Sequence, residues 1–144
     1  MSAQRPEPIP VILESPYAGD VTLHLRYLRA CMRDCLLQGE APFASHGLYT
    51  QPGVLRDEVL DEREHGIAAG FVWRALARKT VFYTDLGWSR GMVRARDIVI
   101  RMGHDWEARR LPKDWLARQL EREKLDAVPA EAAESSVTAA EVEP

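Results

Sequence analysis

The chain has 144 residues, 46% hydrophobic and 28% charged, which suits one domain with a single sizeable core and excludes a multidomain machine. Its formal charge of -3 hides an acidic end: the segment from Ala127 to Pro144 holds Glu131, Glu134, Glu141 and Glu143 and no Lys or Arg. The remainder is close to neutral, which argues against a large nucleic-acid footprint or an anionic membrane surface and for a small-molecule ligand.

Residues 1–9 carry few apolar groups and read as a flexible lead-in without the apolar run of a signal peptide. No stretch approaches the roughly 20 apolar residues that span a bilayer, so the cytoplasm is the expected compartment. Residues Pro10 to Leu13 read as a buried strand. From Asp20 to about Gln38 the apolar residues Val21, Leu25, Leu28, Met32, Cys35 and Leu36 fall at helical spacing, with Asp20 as N-cap and Gly39 as stop. Cys31 and Cys35, four apart on that helix, read as reduced, packed thiols.

Residues 41–45, APFAS, suit a second short strand. The following HGLYTQPGVLRDEVL is too rich in turn residues for regular structure, and long loops at strand ends are often functional. A helix from about Asp61 to Arg78 is expected to bury Ile67, Phe71 and Ala75, with Trp73 in the core. Thr80 to Thr84 is β-branched and aromatic, hence a strand. A helix to about Met102 follows, with Met92, Ala95, Val99 and Met102 inward and Gly103 as its stop. A strand near Trp106 to Ala108 and a helix from Pro112 to about Leu125 complete an alternating α/β pattern, which predicts a parallel sheet. One domain therefore spans residues 10–126, followed by a disordered acidic tail, 127–144.

Chemistry is expected at two strand-to-helix junctions, Ser15-Pro16-Tyr17-Ala18-Gly19-Asp20 and Asp85-Leu86-Gly87-Trp88-Ser89-Arg90-Gly91. In a parallel sheet both leave the same edge, and free N–H groups at a helix N-terminus can hold a phosphate or carboxylate. Gly19, Gly87 and Gly91 permit close backbone approach. Ser89 is a ligand hydroxyl or only an N-cap. Neither loop matches a Walker or Rossmann fingerprint. His46, Tyr49 and Gln51 form a second polar cluster suited to stacking on a base, or to ordinary loop anchoring. The histidines show no metal-ligand spacing with each other or with the cysteines. Neither a metal nor a cofactor is expected. Trp88 suits a lid or an interface contact.

SPYAGD after the first strand, APFASHGLYTQ, EHGIAAGFVW on a helix and SRGM opening a later helix resemble the nucleoside 2-deoxyribosyltransferase-like superfamily, in particular its small phage and bacterial branch. The resemblance covers roughly residues 10–111. It implies a flavodoxin-like three-layer sandwich with a small parallel sheet of four to five strands. It also implies a nucleoside or nucleotide pocket, contacted by Ser15, Tyr17, Gly19, Asp20, His46, Tyr49, Gln51, Ser89, Gly91 and Met92. The implied activity is hydrolysis or transfer at the N-glycosidic bond.

The pattern breaks at one position. Where such enzymes carry a helix Glu after the Ser-x-Gly turn, this chain has Ala95. Glu14 and Asp85 are the candidate substitute carboxylates, suited to an oxocarbenium-like transition state, and a buried pair of them would split acid and nucleophile roles; the other reading of Glu14 is a hydrogen-bonding residue that fixes the first loop or a ribose hydroxyl. The alternative is a catalytically inactive nucleotide-binding sensor, sequestering or accessory protein. A homo-oligomer is an open possibility; direct contact with nucleic acid or membrane is not expected.

Overall fold

Three consecutive apolar residues, Val11, Ile12 and Leu13, are buried in strand β1 (Ile9–Glu14), as a strand covered on both faces requires. The computed structural model describes residues 4–127. Helix α1 (Val21–Leu37) follows β1, then strand β2 (Glu40–Phe43), a single helical turn α2 (Ser45–Leu48), helix α3 (Leu60–Arg74), strand β3 (Lys79–Tyr83), helix α4 (Arg90–Met102) and strand β4 (Trp106–Arg109). The four strands form one all-parallel sheet in the order β2-β1-β3-β4.

Strand alternation sorts the side chains between the faces. Tyr83 reaches Asp34 and Cys35 of α1, whereas Phe82 packs with Met92, Ala95 and Val99 of α4, and Glu14 and Thr80 meet Arg74 of α3. Helix α1 therefore covers one face and α3 with α4 the other. The result is a flavodoxin-like three-layer α/β sandwich. The chain divides at Pro112; beyond it lies helix α5 (Trp115–Asp126), whose first turn carries an Arg118–Asp114 ion pair of 2.8 Å. Of the predicted tail, residues 128–144 lie outside the described residues. Among the described residues no helix is long and apolar enough to cross a membrane.

Several expected core positions are exposed. Leu36 and Met102 are 61% and 54% exposed, because the buried stripe of α1 runs through Tyr27, Leu28, Ala30, Cys31 and Cys35, and that of α4 ends at Val99. On α3, Ile67 and Phe71 are only half-buried and Ala75 lies exposed beyond the last helical residue; Gly70 and Arg74 are the buried pair. A Cβ at Gly70 would lie 2.9 Å from Ser45 Oγ, so glycine lets α3 sit directly against α2. Trp73, expected in the core, is 45% exposed and lies beside Phe43 with ring centroids 5.2 Å apart. Helix α2 itself falls where no regular structure is expected. The amides of Gly47 and Leu48 bond to the carbonyl of Ala44, and that of Tyr49 to Ser45, which closes the turn.

Candidate functional site

The chain leaves β1 toward the sheet edge at β2 and then crosses back to β3, so strand order reverses between β1 and β3. Open parallel sheets bind ligands in the crevice outside the carboxyl ends of strands at such a point. Residues 15–20 leave β1 there and residues 84–89 leave β3, each opening a helix. Asp20 caps α1 through a 3.1 Å bond from the Leu23 amide, and Ser89 caps α4 through a 3.2 Å bond from Met92. Gly19 adopts φ 95° and Gly87 φ 88°, a backbone conformation that glycine adopts without the strain a side chain would bring.

The two carboxylates at this edge project to opposite faces. Glu14 receives Arg74 Nη2 at 2.7 Å on the α3 face, while Arg74 Nη1 donates to Thr80 Oγ1 at 2.8 Å. Burial pushes the Glu14 carboxyl above its ordinary range, and the neighbouring Arg74 charge offsets that only in part. Asp85 accepts from the Tyr27 hydroxyl at 2.6 Å and from the Leu111 amide at 3.0 Å, and its own amide donates to the same Tyr27 oxygen at 2.9 Å. Tyr27 belongs to α1, so Asp85 is engaged on the α1 side. The structure does not bring Glu14 and Asp85 together as a carboxylate pair.

It does bring together Ser15 and His46. Ser15 is buried, and its Oγ lies 2.8 Å from His46 Nε2. Thr50 Oγ1 donates to the His46 carbonyl and so clamps the backbone of α2. His24, whose Nδ1 meets the Tyr17 carbonyl at 2.8 Å, stands near enough to act on the charge of His46. Burial, with a smaller contribution from His24, pushes the His46 imidazole down to about 4, so it is neutral at physiological pH.

His46 lines a cleft of about 70 Å³ between α2 and α3, together with Tyr49, Thr50, Asp57, Glu62 and Arg63. The Tyr49 ring is held edge-on to Phe43, at 6.0 Å between centroids, and its hydroxyl accepts from Trp73 Nε1 at 3.0 Å. On the measure by which one water needs about 10–15 Å³, the space admits several waters, or one heterocyclic ring, and not a whole nucleotide.

Residues 9–108 match the model of a family described as a domain of unknown function, DUF7768. The chain belongs to this family. A search of curated proteins finds no match.

Within this DUF7768 domain the expected site residues fall into three groups. Ser15, Tyr17, Gly19 and Asp20 lie in the loop after β1, and His46 joins them through Ser15. Tyr49 shares the cleft with His46, whereas Gln51 is exposed and bonds the Leu48 carbonyl at 3.2 Å. Ser89 and the exposed Gly91 open α4, but Met92 is 1% exposed and packs into the core under Phe82. Trp88 lies over Phe82 at 5.1 Å and beneath the Arg96 guanidinium at 4.5 Å. Arg90 and Arg94 are exposed.

The DUF7768 domain also has site residues that sequence reasoning passes over. Arg74 is the partner of Glu14, and Arg63 and Glu62 line the cleft from α3. Asp57, in the loop before α3, lines the same cleft and stands 3.9 Å from Arg63. The available signal was weak: Arg74 follows Gly70 by one helical turn, and two residues so spaced share a face.

Proposed function

We propose that this DUF7768 domain binds a nucleoside or nucleotide, with the heterocycle in the α2–α3 cleft and the sugar side toward the loops after β1 and β3. The observation that carries this reading is the Ser15–His46 hydrogen bond, which joins the loop at the strand-order reversal to a cleft of one-ring size. The resemblance of SPYAGD, HGLYTQ and SRGM to the nucleoside 2-deoxyribosyltransferase-like superfamily supports it. Binding without glycosidic chemistry is the form favoured here, since Glu14 is ion-paired, Asp85 is held by Tyr27 and Leu111, and Ala95 belongs to the core. The cytoplasm is the compartment that fits such a ligand.

One observation favours a second reading, cleavage or transfer at the N-glycosidic bond. Burial raises the Glu14 carboxyl, the direction in which a carboxylic acid must move to serve as a general acid. The test incubates the protein with a panel of nucleosides and nucleoside monophosphates, read by thermal shift and by chromatography of free base. A shift without released base supports the binding protein. Released base that disappears in Glu14→Gln supports the enzyme, and neither signal from any member of the panel refutes both.

A further inference from the structure

We propose that Ser15 is a positioning residue for His46: its hydroxyl donates to Nε2, which fixes the imidazole as the Nδ1–H tautomer and makes His46 a hydrogen-bond donor toward the cleft. The direction follows from satisfaction. Ser15 is buried and His46 Nε2 is the one side-chain partner of its hydroxyl among the described residues. A buried O–H left without an acceptor is costly, whereas an oxygen with a spare lone pair is not. The hydroxyl proton therefore goes to Nε2, and Nε2 cannot also carry one while the ring is neutral.

The ring stays neutral for the reasons given above: it is half-buried and largely desolvated, and His24 faces it from α1. Thr50 holds its backbone from the segment after α2, and across the cleft stand Asp57, Glu62 and Arg63, of which Arg63 is paired with Asp57. Nδ1 has no partner among the described residues. It is thus the ring nitrogen left to a ligand, and as a neutral donor beside two carboxylates it reads an uncharged acceptor, a heterocycle nitrogen or a carbonyl oxygen, and disfavours a phosphate. This specificity rests on the cleft being the ligand site; the tautomer does not.

Long-range ¹H–¹⁵N correlation spectra of protein labelled at histidine, with His46 assigned through His46→Gln, test the tautomer. The Nδ1–H form is expected between about pH 5 and 8. Ser15→Ala is expected to move the ring toward Nε2–H, while Ser15→Thr, which keeps the hydroxyl, retains Nδ1–H. An Nε2–H ring in the native protein, or no change in Ser15→Ala, overturns the proposal. Adenosine and deoxycytidine then serve as calorimetric probes, and Ser15→Ala is expected to weaken whichever binds by about tenfold. Unchanged affinity also overturns it. If neither nucleoside binds, the cleft as a nucleoside site falls, and the spectra still decide the role of Ser15.

Discussion

Glu14 and Arg74, 60 residues apart in sequence, meet at 2.7 Å beneath α3, and the same guanidinium bridges to Thr80 on the neighbouring strand. The contact couples the end of β1, where the first loop begins, to the last turn of α3. Both side chains are largely buried. Removing one partner leaves the other's charge buried and unmatched, so Arg74→Ala is expected to cost about 3–5 kcal/mol in urea unfolding. A loss below about 1 kcal/mol would show that water reaches the pair.

The pH dependence of that pair has a definite sign. Because burial outweighs Arg74 and raises the folded-state pKa of Glu14 above its ordinary 4.5, the folded protein binds this proton more readily than the unfolded chain. The contribution of Glu14 to stability is therefore full below pH 4.5 and declines as pH rises through the raised value. Denaturation at a series of pH values is expected to show this decline in the native protein and to lose it in Glu14→Gln. An unchanged slope would place the titration elsewhere.

His46 acts in the opposite sense. Its pKa is held at about 4, against an ordinary 6.5, so unfolding takes up a proton between these values. Stability from the neutral ring is complete above about pH 6.5 and is lost as pH falls toward 4. His46→Gln is expected to flatten this acid limb, measured as the difference in unfolding free energy between the two pH values. Equal slopes in both proteins would mean that His46 is solvated.

Much of the architecture was legible in the sequence because local rules and burial agree there. Asp20 and Ser89 cap their helices, Gly103 ends α4 in the left-handed conformation, and the apolar runs of β1 and β3 are interior strands. The site was less legible. The Ser15–His46 bond spans 31 residues and the Glu14–Arg74 pair 60, and no local pattern specifies which polar groups will meet across a sheet. Arg74 was hidden further by its helix, where glycine at position 70 and a charged residue at 74 replace the apolar stripe that periodicity detects. Met92 points both ways: its place in SRGM suggests ligand contact, while its spacing with Ala95 and Val99 puts it in the core, where it lies.

The thiols give a chemical test of α1. Burial raises both, Cys35 to about 11 despite its 3.3 Å contact with the Tyr83 hydroxyl, and Cys31 further. Thiolate is the reactive form, so Cys31 and Cys35 are expected to resist a thiol reagent in the native protein and to react together on unfolding in urea. Rapid reaction of either without denaturant would mean that α1 opens from the sheet.

The Tyr27–Asp85 contact separates a structural carboxylate from a reactive one. Asp85 accepts from both Tyr27 and the Leu111 amide, and hydrogen bonds to a charged group are worth about 1.5–3 kcal/mol. Tyr27→Phe is thus expected to destabilise the protein by about that much in thermal or chemical unfolding, without altering nucleoside affinity. A stable Tyr27→Phe protein with impaired binding would instead place Asp85 in the ligand site.

Ala95 decides whether glycosidic chemistry was merely lost by substitution. If the helix face at this position looked into the pocket, Ala95→Glu would supply the missing carboxylate at little cost. Instead Ala95 is 6% exposed and packs with Phe82, Met92 and Val99, so a glutamate there must be forced into an apolar core. Overpacking alone costs about 1–3 kcal/mol, and an unpaired buried carboxylate adds to it. The expected Ala95→Glu protein is therefore markedly less stable and releases no base from any nucleoside, by thermal melting and chromatography. A variant that melts like the native protein and releases base would show that α4 turns this face to the ligand, and would reverse the preference for binding over catalysis.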